Sequence, residues 1–276
     1  MDRRKAMKIT AGVIAGGGTG LFALSKALKA ENPPLPVPQK LEFTPAENKW
    51  QYTPLDPSVS AKLAYRAYSE GSCMYATVAS VISQLAEKFG EPYASFPTSM
   101  FKYGHGGIGG YGSVCGTLNG AAALLGLLIP DKKVQDKMIT DIFQWYEKES
   151  LPVFSPHEAS LDFKPPASVS NSVLCHASNT TWCKESGFKV SSNERKERCR
   201  RLTADVAQKV TTVLNEIYTH TYMTGVHSNE TVNTCVTCHG NDGKLDNTAV
   251  KMSCSSCHSE SVAHQVFSDV HYKLME

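Results

Sequence analysis

The stretch CVTCHGNDGKLDNTAVKMSCSSCH, residues 235–258, carries the pattern Cys-x-x-Cys-His at both of its ends. Disulfide bonds, a zinc site and two covalent haem attachments compete to explain it. Disulfides give no reason for a histidine directly after each cysteine pair. Fifteen residues separate Cys238 from Cys254, and this spacing is compatible with a zinc ribbon.

The histidines favour haem over zinc. Covalent haem needs two thiols one helical turn apart, which add to the two vinyl groups, and an imidazole at the next position to bind the iron. The predicted thioether residues are Cys235, Cys238, Cys254 and Cys257, and the predicted proximal ligands are His239 and His258. The sequence therefore predicts two haem c groups per chain, with a zinc ribbon as the alternative.

A sixth iron ligand must approach from the opposite face of the porphyrin, which the turn carrying the proximal histidine cannot reach at short range. His264 is therefore a poor partner for the haem of His258, although it could serve the other haem or a haem in a second subunit. In order of preference, the distal candidates are His227, then His264 and His271, then His220, with Met223 or Met252 as alternatives.

Residues 1–30 are predicted to be a signal peptide. The basic start MDRRKAMK precedes ITAGVIAGGGTGLFAL, an apolar run of 16 residues that is short and glycine-rich for a membrane span. Arg3-Arg4 is typical of a twin-arginine signal, although Ala6 stands where phenylalanine is usual. An ordinary secretory signal and an uncleaved anchor are the alternatives. We expect cleavage after Ala30, a periplasmic location and no stable membrane span afterwards.

The charge of the mature chain argues against nucleic acid as a partner. Residues 1–30 hold six of the 28 Lys and Arg and one of the 26 Asp and Glu, which leaves 22 basic and 25 acidic residues, a net charge of −3. The one basic cluster, NERKERCRR at 193–201, is predicted to be a solvated helix face of mixed sign.

The middle of the chain is predicted to be helical. A proline-rich extended arm covers 31–58, a cysteine-containing helical domain covers 59–222, and the haem segment covers 223–276. The predicted helices lie within 61–71, 73–90 with Gly90 as C-cap, 115–128, 131–150 with Asp131 as N-cap, and 192–220. Gly116 and Gly120, one turn apart, would let another backbone approach closely.

The stretch GHGGIGGYGSVCG, residues 104–116, holds seven glycines. It formally matches the dinucleotide fingerprint G-x-G-x-x-G, but no apolar strand precedes it and no βαβ unit follows. It indicates instead a backbone packed against a compact inorganic group, with amide N–H groups available to sulfur.

Five cysteines remain for such a group, and an iron–sulfur cluster takes four thiolates. The pattern favours Cys115 together with Cys175, Cys183 and Cys199, three thiols within 25 residues. One or two disulfides with a buried thiol are the alternative.

These residues also carry a family resemblance. Cys73 in EGSCMYA, Cys115 in GHGGIGGYGSVCGTLNGAAALLGL, and the later Cys175 and Cys199 resemble the C-GCAxxG-C-C family. With both haem motifs added, the mature chain is similar to the split-Soret cytochromes c of sulfate-reducing bacteria. Gly-Thr-Leu-Asn-Gly after Cys115 and the extra Cys183 depart from the pattern. The resemblance implies a homodimer with stacked haems near the interface, one cluster per subunit, which we expect to be [2Fe–2S], and Cys73 in place of Cys183 as a ligand.

We therefore expect a mainly α protein with little β structure, in which a helical iron–sulfur domain precedes a dihaem c segment. The expected function is electron transfer in anaerobic respiration, with protein redox partners, and an enzyme is disfavoured. A haem- or cluster-dependent reductase of a small molecule is the first alternative, and a zinc-ribbon interaction module is the second.

Overall fold

Six helices carry the fold in the computed structural model, which describes residues 40–41, 50–224 and 230–254, with backbone alone for 230–234. They are α1 (Pro57–Phe89), α2 (Gly116–Leu128), α3 (Lys132–Lys148), α4 (Cys175–Ser186), α5 (Asn193–Tyr218) and α6 (Glu230–His239). A two-stranded antiparallel ladder pairs β1 (Ser150–Leu151) with β2 (Ser168–Val169). The prediction of a mainly helical chain with little β structure is confirmed.

Capping residues set the helix ends where the sequence predicts them. Asp131 accepts hydrogen bonds from the N–H groups of Lys133 at 2.8 Å and Val134 at 3.1 Å, which satisfies two of the unpaired donors at the start of α3. Ser192 caps α5 in the same way. Gly90 closes α1 with a φ of 67°, a left-handed value that favours glycine. The predicted caps at Asp131 and Gly90 are confirmed.

A kink divides α1 where the sequence predicts a break between two helices. Gly71 and Ser72 have non-helical backbone angles, and Ser72 has a φ of 64°, an uncommon and strained value for a residue with a Cβ. Cys73 follows directly and is buried. The kink thus changes the direction of the chain one residue before a candidate ligand.

The main core lies where α1 packs along α5 and against α2. Its fully buried members include Leu85, Leu118, Leu125 and Leu214. Each such side chain contributes about 1.5–3 kcal/mol relative to an exposed one. This packing fixes the relative positions of three helices that each carry or adjoin a candidate cysteine.

Part of the predicted arm packs against α5. Residues 51–56 form no helix or strand, as predicted, but Tyr52 and Leu55 are buried. The Asn215 side chain accepts from the Tyr52 hydroxyl at 2.7 Å and the Leu55 N–H at 3.0 Å, and it donates to the Leu55 carbonyl at 2.7 Å. α1 begins at Pro57, two residues before the predicted boundary at residue 59.

The 3-10 helix Thr98–Tyr103 lies directly before the glycine-rich loop at 104–116. A dinucleotide fingerprint needs a strand at this place, so the formal match lacks its structural context.

Helix α4 was not predicted. Its sequence, CHASNTTWCKES, is rich in Ser, Asn and Thr, which are weak helix formers, and no side chain caps its start at Leu174. Trp182, which is fully buried and donates to the Pro166 carbonyl at 2.9 Å, anchors the helix instead.

Among the described residues, no helix is both long enough and apolar enough to cross a membrane. All of these residues belong to one compact unit of the chain. The predicted signal peptide at 1–30 and most of the predicted arm lie outside them.

Substitution at the two ends of α2 tests how closely its start is packed. A Cβ at Gly116 would lie 1.9 Å from the Gly104 carbonyl oxygen, whereas one at Gly126 would meet nothing within 4 Å. We expect Gly116→Ala to lower the free energy of unfolding by about 1–3 kcal/mol through overpacking. We expect the matched control Gly126→Ala to raise it by about 0.5–1 kcal/mol, since alanine favours the helix.

Urea denaturation of the full chain measures both changes. Equal stability of the Gly116→Ala variant and the wild type would contradict the close approach at the start of α2.

Candidate functional site

Four cysteine thiols that are far apart in the sequence line one small cavity. They are Cys73 in α1, Cys115 directly before α2, Cys175 at the first residue of α4, and Cys199 in α5. Three are buried and Cys199 is half-buried. The cavity volume is about 30 Å³, which is room for about two water molecules. This size and this lining suit a compact inorganic group.

An isolated β-bridge between Val114 and Leu174 sets Cys115 and Cys175 close together. The Cys115 N–H donates to the Val173 carbonyl at 2.8 Å and extends the pairing. Each cysteine then stands at the start of a helix, where unpaired N–H groups and the helix dipole favour negative charge on a thiol.

The glycine-rich loop covers the same cavity. Gly106 lines it, and the Gly104 carbonyl accepts from the Cys73 thiol at 3.3 Å. Any Cβ at Gly116 would lie 2.5 Å from the Cys73 sulfur. The close approach of another backbone predicted at Gly116 is confirmed, since a Cβ there would also lie 1.9 Å from the Gly104 carbonyl oxygen. The amides that interact with the cavity sulfurs lie in helices rather than in this loop: Thr117 in the first turn of α2 is near Cys115, and Met74 in α1 is near Cys73.

Two arginines of α5 bring positive charge to the cavity. One guanidinium nitrogen of Arg195 and one of Arg198 each lie 4.0 Å from the Cys199 sulfur. Arg198 is only 1% exposed and donates to the Ser178 hydroxyl at 2.9 Å. Its Nε has no hydrogen-bond partner within the described part of the chain. A buried cation beside thiols favours their deprotonated form.

The prediction that 193–201 is a solvated helix face is wrong. Glu197, Arg198 and Arg201 of this stretch are all buried. Arg201 donates to the Glu197 carboxylate at 2.8 Å, and the Tyr65 hydroxyl donates to the same oxygen at 2.7 Å. The mixed signs neutralise one another inside the protein, and Arg198 is left facing the thiols.

The thiols of Cys115 and Cys175 interact with each other, and the interaction changes the pKa of both. The Cys175 thiol donates to the Cys115 sulfur, and this contact lowers the pKa of Cys115 to about 6 against the opposing effect of burial, with the Tyr146 hydroxyl adding to the lowering. The same contact raises the pKa of Cys175. Burial raises the pKa of Cys73. At neutral pH the cavity therefore holds at least one thiolate.

No three His, Cys, Asp or Glu side chains of the described residues are grouped closely enough to bind one metal ion. The four thiols stand instead around the wall of the cavity. Thiolates of a cluster bind different iron atoms, so they stand farther apart than the ligands of a single ion. Four thiolates are the number that an iron–sulfur cluster takes, and four thiols line this cavity.

Cys183 does not line this cavity. It lies on α4 two turns after Cys175 and is half-buried, and burial raises its pKa. The sequence pattern favoured Cys183 as one of the four thiols, but the structure brings Cys73 to that place. Spacing along the chain could not reveal this, because Cys73 approaches from α1 by tertiary packing.

The sequence pattern gave no indication of the polar side chains around the thiols. Asn179 donates to the Cys175 sulfur at 3.2 Å and accepts from the Cys199 thiol at 3.5 Å. Tyr68 and Tyr146 line the cavity as well. Asn179 lies four residues after Cys175, a helical spacing that would have placed it beside that thiol had α4 been recognised.

The first Cys-x-x-Cys-His motif closes helix α6. Cys235 is half-buried, Cys238 is exposed, and His239 is the last helical residue. His239 Nδ1 lies 2.9 Å from Asn247 Oδ1, and the Asn247 N–H donates to the His239 carbonyl at 3.0 Å. This pair of contacts orients the imidazole and favours a proton on Nδ1, which leaves the Nε2 lone pair for a metal.

The second motif is described only at Cys254. The thiols of Cys254 and Cys235 are in contact, and the pKa of Cys254 is raised by burial and then by this neighbour. The first thiols of the two motifs therefore lie side by side. Cys257 and His258 lie outside the described residues, as do the distal candidates His227, His264 and His271.

The described alternatives for a distal ligand occupy different surroundings. His220 is exposed just after α5, with a φ of 56°. Met223 is exposed, whereas Met252 packs against the main core.

A family model described as a putative redox-active protein (C_GCAxxG_C_C) matches residues 75–213. The match contains Cys115, Cys175, Cys183 and Cys199 and begins two residues after Cys73.

The chain is similar to the split-Soret cytochrome c of Desulfovibrio desulfuricans (strain ATCC 27774 / DSM 6949 / MB), with 34% identity over 261 residues, which cover 92% of this chain and 93% of the relative. A solved structure of the split-Soret cytochrome c from Desulfovibrio desulfuricans ATCC 27774, described as containing a novel iron centre, is similar to it with a TM-score of 0.73. That alignment has 34% identity and covers 78% of this chain and 93% of that chain.

Proposed function

The chain belongs to the split-Soret cytochrome c family, and from this premise we propose that it is a periplasmic electron carrier with two covalent haems c and one iron–sulfur cluster. The observation that supports the cluster is the convergence of Cys73, Cys115, Cys175 and Cys199 on one cavity. The chain that builds this cavity also carries two Cys-x-x-Cys-His motifs. Electron transfer in anaerobic respiration accounts for both features together.

The cavity residues fit an iron–sulfur cluster. Four thiolates can hold the iron atoms, and the small volume suits [2Fe–2S], the smaller of the common clusters with four cysteines. Such a cluster supplies a reversible one-electron couple. Four thiolates carry four negative charges, and Arg195 and Arg198 offset two of them away from solvent. This compensation favours the more negative, reduced state and so raises the reduction potential.

The α6 residues fit a covalent haem. Cys235 and Cys238 lie one helical turn apart, the spacing needed for attachment to the two vinyl groups. His239 would bind the iron through Nε2 while Asn247 holds Nδ1. We extend the same assignment to Cys254, Cys257 and His258 on the strength of the repeated motif.

The proposal includes an exported homodimer. Arg3-Arg4 and the apolar run after it support export through a signal at 1–30, and the family resemblance supports a dimer with haems near the subunit interface. Residues 59–222 would form the cluster domain and 223–276 the dihaem segment. We also propose that His227, His264 or His271 supplies distal haem ligands. The proposed partners are redox proteins and not nucleic acids.

The choice of cluster ligands is tested with Cys73→Ser and the matched control Cys183→Ser. We expect Cys73→Ser to lose most of the acid-labile sulfide, because it removes a cavity thiol, and to keep both haems. We expect Cys183→Ser to keep the sulfide, because Cys183 lies outside the cavity. Haem, iron and acid-labile sulfide per chain are quantified in the purified protein, together with its absorption spectrum.

The opposite pattern, sulfide lost with Cys183→Ser alone, would overturn the ligand assignment. A wild-type protein with two haems but no acid-labile sulfide would refute the proposed cluster. A colourless protein that contains zinc would refute the proposed cytochrome.

The role of Asn247 is tested through the potential of one haem. A hydrogen-bond acceptor at Nδ1 makes the imidazole a stronger donor, which stabilises ferric iron. We therefore expect Asn247→Ala to raise the reduction potential of one of the two haems and Asn247→Asp to lower it. External ligands should displace His239 about tenfold more readily in Asn247→Ala, within the range known for such outer partners.

Asn241→Ala is the control for Asn247, because Asn241 is exposed in the same loop and its side-chain amide donates to the Asp242 carboxylate at 3.3 Å. Spectroelectrochemical titration resolves the two haems. Unchanged potentials in both Asn247 variants would contradict the role of Asn247.

A further inference from the structure

Two consecutive residues near the end of α3 face the two halves of the proposed redox apparatus. Tyr146 is 1% exposed and lines the thiol cavity, where its hydroxyl donates to Ser178 at 2.9 Å and interacts with the Cys115 thiol. Glu147 is 3% exposed, and its Oε1 accepts from the Ser253 N–H at 3.2 Å. Successive helical side chains diverge by about 100°, so one turn of α3 serves both sites.

The partner of Glu147 lies directly before a haem attachment residue. Ser253 is buried and is followed by Cys254. Its neighbour Met252 packs against the main core, and Lys251 Nζ donates to the Thr140 hydroxyl of α3 at 3.3 Å. The segment at 251–253 is therefore docked on α3 immediately before the second motif.

The 171–173 segment connects Glu147 to the thiol cavity. The Asn171 N–H donates to the Glu147 carbonyl at 2.9 Å, and the Val173 amide lies near the Glu147 carboxylate. The Val173 carbonyl accepts from the Cys115 N–H at 2.8 Å. Glu147 thus lies between two segments. One contains Val173, whose carbonyl accepts from Cys115, and the other contains Ser253, which directly precedes Cys254.

Burial of this carboxylate is costly unless backbone donors compensate it. An apolar side chain would fill the same place between α3 and the 249–253 segment without that cost. The Ser253 amide donates to the Glu147 carboxylate, so docking of the haem segment offsets part of this cost. The cost of burying the Glu147 carboxylate therefore depends on whether the segment that contains Ser253 is docked on α3.

We propose that Glu147 is a positioning residue that docks the haem segment against the thiol cavity and provides the bonded contact between the cluster and the haem at Cys254. The inference rests on the proposed function. With both groups bound, this contact would be the path for one electron from a reduced cluster to a ferric haem, which would give an oxidised cluster and a ferrous haem. No bond forms or breaks, and no proton is transferred.

Three variants of the full, cofactor-loaded chain separate docking from charge. Glu147→Leu removes the acceptor, Glu147→Asp withdraws the carboxylate by one methylene, and Glu147→Gln keeps an acceptor oxygen without the charge. Glu149→Leu is the matched control, since Glu149 is an exposed carboxylate two residues along the chain. Glu147→Asp is the mildest change and keeps the test available if Glu147→Leu fails to fold.

Two measurements are made on each variant, one of docking and one of electron transfer. Hydrogen exchange at the Ser253 amide reports docking without reference to the cofactors, and photoreduction followed by absorbance reports the rate of electron transfer from cluster to haem. We expect faster exchange and a rate at least about tenfold lower in Glu147→Leu, with a smaller change of both in Glu147→Asp. Glu147→Gln and Glu149→Leu should resemble the wild type in both.

Wild-type exchange and wild-type rate in a folded Glu147→Leu or Glu147→Asp variant would overturn the proposal. Faster exchange at an unchanged rate would keep the docking contact but refute the electron route. A wild-type chain without a cluster or without haem at Cys254 would defeat the proposed function instead, and the exchange measurement would still decide the docking role.

Discussion

The buried guanidinium of Arg198 is the constraint on which the site depends. A buried charge costs several kcal/mol unless opposite charge and hydrogen bonds surround it. Arg198 has the Ser178 hydroxyl and the Cys199 sulfur, and among the described residues its Nε has no partner. Negative charge on Cys199 and Cys115 contributes to the remaining compensation, together with the nearby buried carboxyl group of Asp205. Cation and thiols therefore stabilise each other.

Local signals predicted most of the helices. Asp131 and Gly90 mark helix ends through hydrogen bonds and backbone angles that depend on neighbouring residues alone. The kink at Gly71 was foreseeable for the same reason. α4 was not, because its stability depends on Trp182 filling the interior rather than on helix propensity. A helix that is stabilised mainly by tertiary packing is hard to predict from the local sequence pattern.

The composition of the site was only partly foreseeable. The five cysteines could be named, but the choice of Cys73 over Cys183 depends on the α1 kink and on the packing of α1 against α5. The basic stretch at 193–201 was assigned to the surface because charge runs are usually solvated. Glu197 neutralises Arg201 within that stretch, so Arg198 can be buried against Ser178. Only the fold shows which of these charges are paired.

The position of α3 connects the thiol cavity and the proposed haem segment mechanically. Its last turn is held by the Asn171 N–H, which donates to the Glu147 carbonyl at 2.9 Å, and by the Tyr146 hydroxyl bound to Ser178. A rotation of this turn would move Tyr146 from the cavity and Glu147 from Ser253 together. Because a packed core admits few intermediate arrangements, the distance between cavity and haem segment is fixed by the same contacts that close the cavity. A carrier with two kinds of centre gains from such coupling, since electron transfer between them then needs no movement of the chain.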